Sequence, residues 1–281
     1  MSWRLAVTHT TGYRYERPVV ASYNEARLTP LSVEGQLTID ARVEVVPRVR
    51  MGRYRDYWGS VVHPFDVHVA HSELVVTASS LVDTRSTPSA PTTDGPGWDV
   101  LSAEALDRYY EFLAPTATVP EDAELADIAG QIRAGAATPG DAVVAAREWV
   151  GGQLAYEKGS TSVSTSAIEA WRSGRGVCQD YVHLTLALLR AMGVPARYVS
   201  GYFHPEAEAG PGDTVTADSH AWAEAWTGEW HAFDPTNNVV VGHRHVMLAR
   251  ARDYRDVAPL KGVYSGAPSS TPNVAVTLTR R

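Results

Sequence analysis

The single cysteine of the chain, Cys178, stands where a reactive thiol would be expected. It follows the segment 174–177 (Gly-Arg-Gly-Val) and begins an apolar run that continues to Met192. The two glycines free the backbone for a sharp turn, and the apolar run is typical of a helix. A thiol in the first turn of a helix feels the positive end of the helix dipole, which favours the thiolate. The pattern predicts a nucleophile, and the alternative is an inert, buried cysteine.

A base for this thiol is predicted at His220, in the segment 219–226 (Ser-His-Ala-Trp-Ala-Glu-Ala-Trp). This segment alternates like a strand, although its alanines would also suit a helix, and a turn then leads to a second strand that ends at Asp234. A loop at 226–228 would put His220 directly opposite Asp234, whereas a loop at 227–229 would make them diagonal neighbours on one face. Either register brings their Cβ atoms within about 8 Å, whereas a two-residue loop would separate them. An imidazole oriented by a carboxylate predicts a triad, with a surface hydrogen bond as the alternative.

The spacing of the other histidines gives no convincing metal site. His63 and His71 would share one strand face about 26 Å apart, and His68 would point to the opposite face. His243 and His245 could share a strand face, but no third ligand lies nearby in the sequence. We therefore predict neither a metal ion nor a cofactor.

The composition excludes several classes of protein. The 281 residues are 44% hydrophobic and 20% charged, as in an ordinary packed protein, and the formal charge of −7 argues against nucleic-acid binding. One cysteine forms no internal disulfide, no apolar run approaches the ~20 residues of a membrane span, and the N-terminus lacks a secretory pattern. We expect a cytoplasmic protein that binds neither nucleic acid nor membranes, and the composition favours no particular oligomeric state.

Two kinds of pattern divide the chain. Apolar residues alternate from Leu37 to Val46 and again over 67–77, which predicts an antiparallel β-sandwich-like domain over residues 1–85. Residues 86–100 are rich in Pro, Gly, Ser and Thr and predict a linker or loop. Helical patterns come first after that and strands follow, so residues 101–281 are expected to form an α+β domain that carries the chemistry.

Three blocks of residues, in this order, resemble the transglutaminase-like superfamily in its bacterial cysteine protease-like branch. They are 174–181 (Gly-Arg-Gly-Val-Cys-Gln-Asp-Tyr), 219–222 (Ser-His-Ala-Trp) and 230–236 (Trp-His-Ala-Phe-Asp-Pro-Thr). The first 85 residues and the segment 251–260 also look like the regions that precede and follow this core in bacterial relatives. The resemblance implies a papain-like core, in which the nucleophile helix packs on an antiparallel sheet, preceded by a β-domain.

The resemblance also implies a role for each residue of the predicted site. Cys178 would be the nucleophile, His220 the general base and acid, and Asp234 the carboxylate that orients the imidazole. Tyr156 lies upstream at a position that would suit the stabilisation of an oxyanion. The substrate would be a peptide or protein with an amide or isopeptide bond.

The residues beside the cysteine decide which acceptor is expected. Members that crosslink proteins usually have Gln and Trp there, whereas this chain has Val177 and Gln179. We therefore expect hydrolysis, as in a protease or amidase, rather than transamidation, and the sequence has no EF-hand calcium loop. Two alternatives are acetyl transfer from coenzyme A to arylamines, for which we find no motif, and a non-catalytic binding scaffold with the same fold.

Overall fold

A computed structural model of the chain describes residues 1–86, 95–266 and 269–281. Most of the predicted linker, residues 87–94, lies outside the described residues, and the end of that segment forms a 3-10 turn at Trp98–Val100. The N-terminal strands are β1 (Ser2–Val19), β2 (Ala21–Thr29), β3 (Gln36–Val46), β4 (Tyr54–Arg55), β5 (Val61–Val67) and β6 (His71–Arg85).

Helices dominate the middle of the chain, and strands follow them. In order these are α1 (Ala103–Arg108), α2 (Ala123–Gly135), α3 (Pro139–Gln153), β7 (Ala155–Tyr156), α4 (Ala167–Ser173), β8 (Arg175–Gly176), α5 (Cys178–Ala191), β9 (Ala196–Phe203), β10 (Thr214–Ala217), β11 (Ser219–Trp226), β12 (Trp230–Asp234), β13 (Val239–Val240), β14 (His245–Ala251), α6 (Tyr254–Val257), β15 (Leu260–Ser265) and β16 (Ser270–Arg280), with a second 3-10 turn at Tyr110–Phe112. This order confirms the predicted α+β class.

Two antiparallel sheets are built around the N-terminal strands. One has the order β10-β16-β1-β6-β3 and the other the order β15-β2-β5-β4. Three of these strands therefore come from the second half of the chain, and β16 pairs with β1 from Leu5↔Arg280 to Tyr15↔Ser270. The division into residues 1–85 and 101–281 stays a prediction, but both sheets join residues from the two sides of it.

The strand β3 shows where alternation alone misleads. Val43 and Val45 are buried as predicted, but Leu37 and Ile39 are exposed, at 57% and 46%. The pairing with β6 shifts between Thr38 and Asp40 because Ile39 is a bulged residue without a partner. Since a bulge reverses the faces of the residues before it, the first half of the strand turns its apolar side chains outward.

The core that carries the predicted chemistry consists of α5 and one antiparallel sheet. The sheet has the order β13-β12-β11-β9-β14, and α5 packs on β11 and β9. Almost every residue of α5 is buried because α2, α3 and α4 cover the helix on its other sides. The helix ends where Gly193 adopts a φ of 78°, a conformation that favours glycine and closes the C-terminus. Among the described residues, no helix combines the length and the apolar character needed to cross a membrane.

Candidate active site

Cys178 is the first residue of α5, at the end of a turn that a carboxylate holds in place. The Asp180 carboxylate accepts the backbone N–H of Val177 at 2.8 Å and the hydroxyl of Thr161 at 2.6 Å. A Cβ on Gly176 would lie 2.7 Å from the Cβ of Asp180, so this close approach requires glycine. The glycine before the cysteine therefore lets the chain turn tightly enough to present the thiol at the start of the helix.

Helix α5 also supplies polar groups near the thiol. The N–H groups of Asp180 and Tyr181 both bond to the carbonyl of Val177. The N–H groups in the first turn of a helix have no acceptor one turn earlier, and that of Cys178 lies beside the thiol itself. Burial raises the pKa of Asp180 and outweighs the hydrogen bonds that this carboxylate accepts from Thr161 and Val177.

His220 and Asp234 lie on neighbouring strands with the second of the two predicted registers. Trp226 pairs with Trp230, so the loop consists of residues 227–229, and Asp234 is the diagonal neighbour of His220. His220 Nε2 donates to Asp234 Oδ2 at 2.7 Å, and the same imidazole hydrogen-bonds the side chain of Cys178. Because Nε2 is taken by the carboxylate, Nδ1 is the ring nitrogen left for the thiol.

Hydrogen bonds to Asp234 keep this buried carboxylate ionised. Its Oδ1 accepts the backbone N–H groups of Thr236 and Asn237 at 2.9 and 3.2 Å, and its Oδ2 accepts the Asn237 side-chain amide at 2.8 Å in addition to His220. Burial alone would raise the pKa of Asp234, but these bonds hold that pKa well below its usual range.

The same contacts favour the charged form of His220. Burial lowers the pKa of His220, and the hydrogen bonds to Asp234 and Cys178 outweigh that effect and raise the pKa to about 10. An imidazolium at this position can pair with a thiolate, which is the resting form of many cysteine nucleophiles.

Tyr156 lies in the cleft that opens beside these residues. It lies on β7, opposite Gly176 of β8, and its side chain is half exposed. Burial of its hydroxyl and the nearby Cys178 raise the pKa of Tyr156, so the hydroxyl stays protonated and can donate. The cleft has a volume of about 390 Å³ and is lined by Tyr156, Lys158, Phe203, Pro205, Ala217, Asp218, Ser219, His220, Thr236 and Asn237.

A larger cavity lies away from this cleft. Its volume is about 900 Å³, and residues of β1, β3 and β6 line it together with Arg281. No cysteine or histidine is among its lining residues. Since Cys178, His220 and Asp234 meet elsewhere and His220 lines the smaller cleft, we place the candidate site there.

His245 is a neighbour of the site that sequence reasoning missed. Its Nε2 lies 3.6 Å from Asp234 Oδ2, whereas His243 bonds to Ser86 at 2.7 Å. Ligand atoms of His220, Asp234 and His245 all lie within 4.8 Å of one another, close enough for a metal ion. However, His220 Nε2 and Asp234 Oδ2 already bond to each other, so a cation would have to displace that proton. The arrangement is explained by hydrogen bonding.

Comparison with known families gives two matches along the chain. Residues 126–235 match the transglutaminase-like superfamily, and residues 5–83 match the bacterial transglutaminase-like N-terminal region. The first match contains Cys178, His220 and Asp234, and the second covers most of the predicted N-terminal β-domain.

The chain is also similar to individual proteins. An uncharacterized protein of Mycobacterium leprae is 48% identical over 279 residues, which is 99% of both chains. A protein-glutamine gamma-glutamyltransferase of Pseudomonas aeruginosa is 34% identical over 102 residues, which is 33% of this chain and 15% of that protein. A Cytophaga hutchinsonii crystal structure, described as a candidate cysteine protease, superposes with a TM-score of 0.77 at 24% identity, covering 100% of this chain and 91% of that one.

Proposed function

This chain belongs to the transglutaminase-like superfamily, and we propose that it hydrolyses an amide bond in a peptide or isopeptide through a thioester on Cys178. The observation that carries this proposal is the double contact of His220, which hydrogen-bonds Cys178 on one side and Asp234 on the other. This is the nucleophile, base and orienting group of a cysteine triad.

Acylation would begin with attack of Cys178 Sγ on the carbonyl carbon of the amide. The sulfur attacks as the thiolate of the Cys178–His220 ion pair, in which the thiol proton already lies on Nδ1, and Asp234 stays ionised and stabilises this imidazolium. The carbonyl oxygen becomes an oxyanion, for which the Cys178 N–H and the Tyr156 hydroxyl are the proposed donors. The C–N bond then breaks, and His220 gives its proton to the leaving amine, so that a thioester remains on Cys178.

Deacylation would use the same imidazole as a base. His220 takes a proton from a water molecule while the water oxygen attacks the thioester carbon. The C–S bond breaks, the carboxylic acid leaves, and the thiol of Cys178 recovers a proton. The cleft beside His220 is open enough to admit this water.

The choice of water over an amine is supported by the residues beside the cysteine. In this chain Gln179 is buried, and its amide donates to the Ser162 carbonyl at 3.3 Å, so the side chain is held by the loop before the helix. Val177 precedes the cysteine and offers only an aliphatic side chain. Without a shaped, dry amine site, water at ~55 M competes well for a thioester. The Pseudomonas aeruginosa relative is named as a glutamyltransferase, so transamidation is the activity against which hydrolysis must be tested.

The alternative from another class is a binding scaffold without catalysis. It would keep the fold and use the cleft to hold a peptide, and it predicts an inert thiol. The contacts of His220 with both Cys178 and Asp234 favour the enzyme. We propose a cytoplasmic location and a peptide or protein substrate for either function.

The test is a product ratio. The protein is incubated with a panel of short peptides that carry backbone and glutamine side-chain amides, together with a millimolar fluorescent alkylamine. Mass spectrometry then counts free acid against amine adduct, and Cys178→Ala is the control. Mostly free acid supports hydrolysis, and mostly amine adduct establishes transamidation instead. If no product forms and iodoacetamide does not alkylate Cys178, the binding scaffold is favoured.

A further inference from the structure

His245 is held rigidly behind the predicted triad. It is the first residue of β14, where it pairs with Phe203, and only 4% of its surface is exposed. Its ring packs against Phe203 at 4.6 Å between ring centroids and meets the edge of Trp222 at 5.2 Å. These two contacts restrict the plane in which the imidazole lies.

A backbone contact decides which ring nitrogen of His245 carries the proton. The N–H of Gly242 donates to His245 Nδ1 at 3.3 Å, and the N–H of His245 donates back to the Gly242 carbonyl at 2.9 Å. A nitrogen that accepts a hydrogen bond has no proton of its own. Burial lowers the pKa of His245 and outweighs the effect of Asp234, so the ring is neutral and its single proton is on Nε2.

That Nε2–H group points at the triad carboxylate. It lies 3.6 Å from Asp234 Oδ2 and has no other hydrogen-bond partner among the described residues. The same oxygen accepts His220 Nε2 at 2.7 Å. A separation of 3.6 Å is longer than a full hydrogen bond, but such contacts in free enzymes often tighten when the substrate binds.

We propose that His245 is a positioning residue, whose Nε2–H fixes Asp234 Oδ2 in the orientation that aligns His220 with Cys178. This inference rests on the proposed function because it assigns a part in the same triad. His245 acts only through Asp234 and touches neither the thiol nor a substrate.

Burial and an unpartnered nitrogen do not by themselves indicate such a role. His204 is also fully buried and its Nε2 also lacks a partner among the described residues, but its ring packs on Trp3, and Nδ1 contacts the Glu206 carbonyl at 3.2 Å. His245 differs in that its Nε2–H points at the buried carboxylate of Asp234. His204 therefore provides the matched control for loss of a buried histidine ring.

The first test compares three variants by the rate at which iodoacetamide alkylates Cys178 at pH 7. We expect His245→Leu, which removes the donor and keeps an apolar side chain, to slow alkylation about tenfold, as loss of a supporting partner commonly does. His245→Gln keeps an N–H donor and should restore most of the rate, and His204→Leu should alkylate like the natural protein. An unchanged rate in His245→Leu overturns the proposal, and so does an equal loss in all three variants, because packing would then explain it.

The second test examines the natural protein and needs no substrate. Nitrogen-15 NMR of histidine-labelled protein, with His245→Gln to assign the signal, should show a neutral ring protonated on Nε2. A proton on Nδ1, or a charged ring, overturns the proposal. If Cys178 alkylates rapidly but no amide is turned over, the proposed function fails while the role of His245 in aligning the triad stands.

Discussion

Gly201 lies directly opposite His220 on the neighbouring strand, and its missing side chain makes room for the Trp222 ring. A Cβ at this position would lie 2.1 Å from the carbonyl oxygen of Val246 and 2.5 Å from the ring of Trp222. Both neighbours belong to the sheet that carries the predicted base, so neither can move without shifting that sheet.

We therefore expect Gly201→Ala to lower the free energy of unfolding by about 3 kcal/mol, the upper range for overpacking, and to displace His220. The matched control is Gly130→Ala in α2, where a Cβ meets nothing within 4 Å. That exposed helical position should gain about 1 kcal/mol, because alanine is the better helix former. Urea unfolding measures both, and equal stability of Gly201→Ala and the natural protein would contradict the clash.

Cys178→Ala should abolish turnover and leave stability nearly unchanged. The thiol is partly exposed at the helix start, so its loss should change the free energy of unfolding by less than about 2 kcal/mol. The measurement pairs product formation with urea unfolding. A variant that keeps its activity would exclude the thioester, and one that unfolds would mark Cys178 as a core residue.

The charge of His220 makes stability depend on pH. Its pKa is about 10 in the folded protein against an ordinary 6.5, so its contribution is fully present below pH 6.5 and is lost as pH rises towards 10. The lowered pKa of Asp234 acts only at acid pH, outside this window. Urea unfolding from pH 6 to 10 should show a falling free energy in the natural protein and a flatter profile in His220→Gln. His204→Gln removes a buried histidine outside the site and should keep the pH dependence of the natural protein. Equal pH dependence in all three proteins would refute the charged His220–Asp234 pair.

His220 and Asp234 should act as one unit. We expect His220→Ala to remove turnover and Asp234→Asn to reduce it heavily, with the double variant no worse than His220→Ala alone, because the carboxylate works through the imidazole. The measurement is kcat for each single variant and the double variant on the same peptide. Losses that simply add would mean that the two side chains work independently.

Tyr156→Phe should lower kcat by about 100-fold with little change in KM, because loss of an oxyanion donor weakens only the transition state. The ring is half exposed, so stability should not change. Tyr57→Phe, whose hydroxyl contacts Glu111 on the surface, provides the control and should keep full activity. A natural kcat in Tyr156→Phe would leave the backbone N–H groups as the oxyanion donors.

Short-range patterns in the sequence were enough to predict much of the site. Cys178 could be placed at a helix start from two glycines and an apolar run, and the contact of His220 with Asp234 followed from the length of one loop. These features depend on residues within about one turn or one hairpin of each other. Local backbone geometry decides them before any tertiary packing does.

The relation of His245 to Asp234 could not be predicted in the same way. After β12 the chain forms the edge strand β13, and β14 then pairs with β9 at the opposite edge of the sheet. Only this strand order brings His245 back to the carboxylate, and a period of two gives the face of a strand but not its neighbour. The bulge at Ile39 could not be predicted for a related reason, since the alternation of apolar residues in the sequence does not indicate which residue lacks a partner.

The pairing of β1 with β16 has a consequence for biosynthesis. Paired residues such as Tyr15 and Ser270, or Leu5 and Arg280, are 255 and 275 positions apart in the chain. During translation the β1 edge that receives β16 therefore stays open while nearly all the remaining residues leave the ribosome. An open edge strand can pair with other chains, and contacts this distant form slowly. We therefore expect that chaperones must shield the open β1 edge of the nascent chain until β16 has left the ribosome.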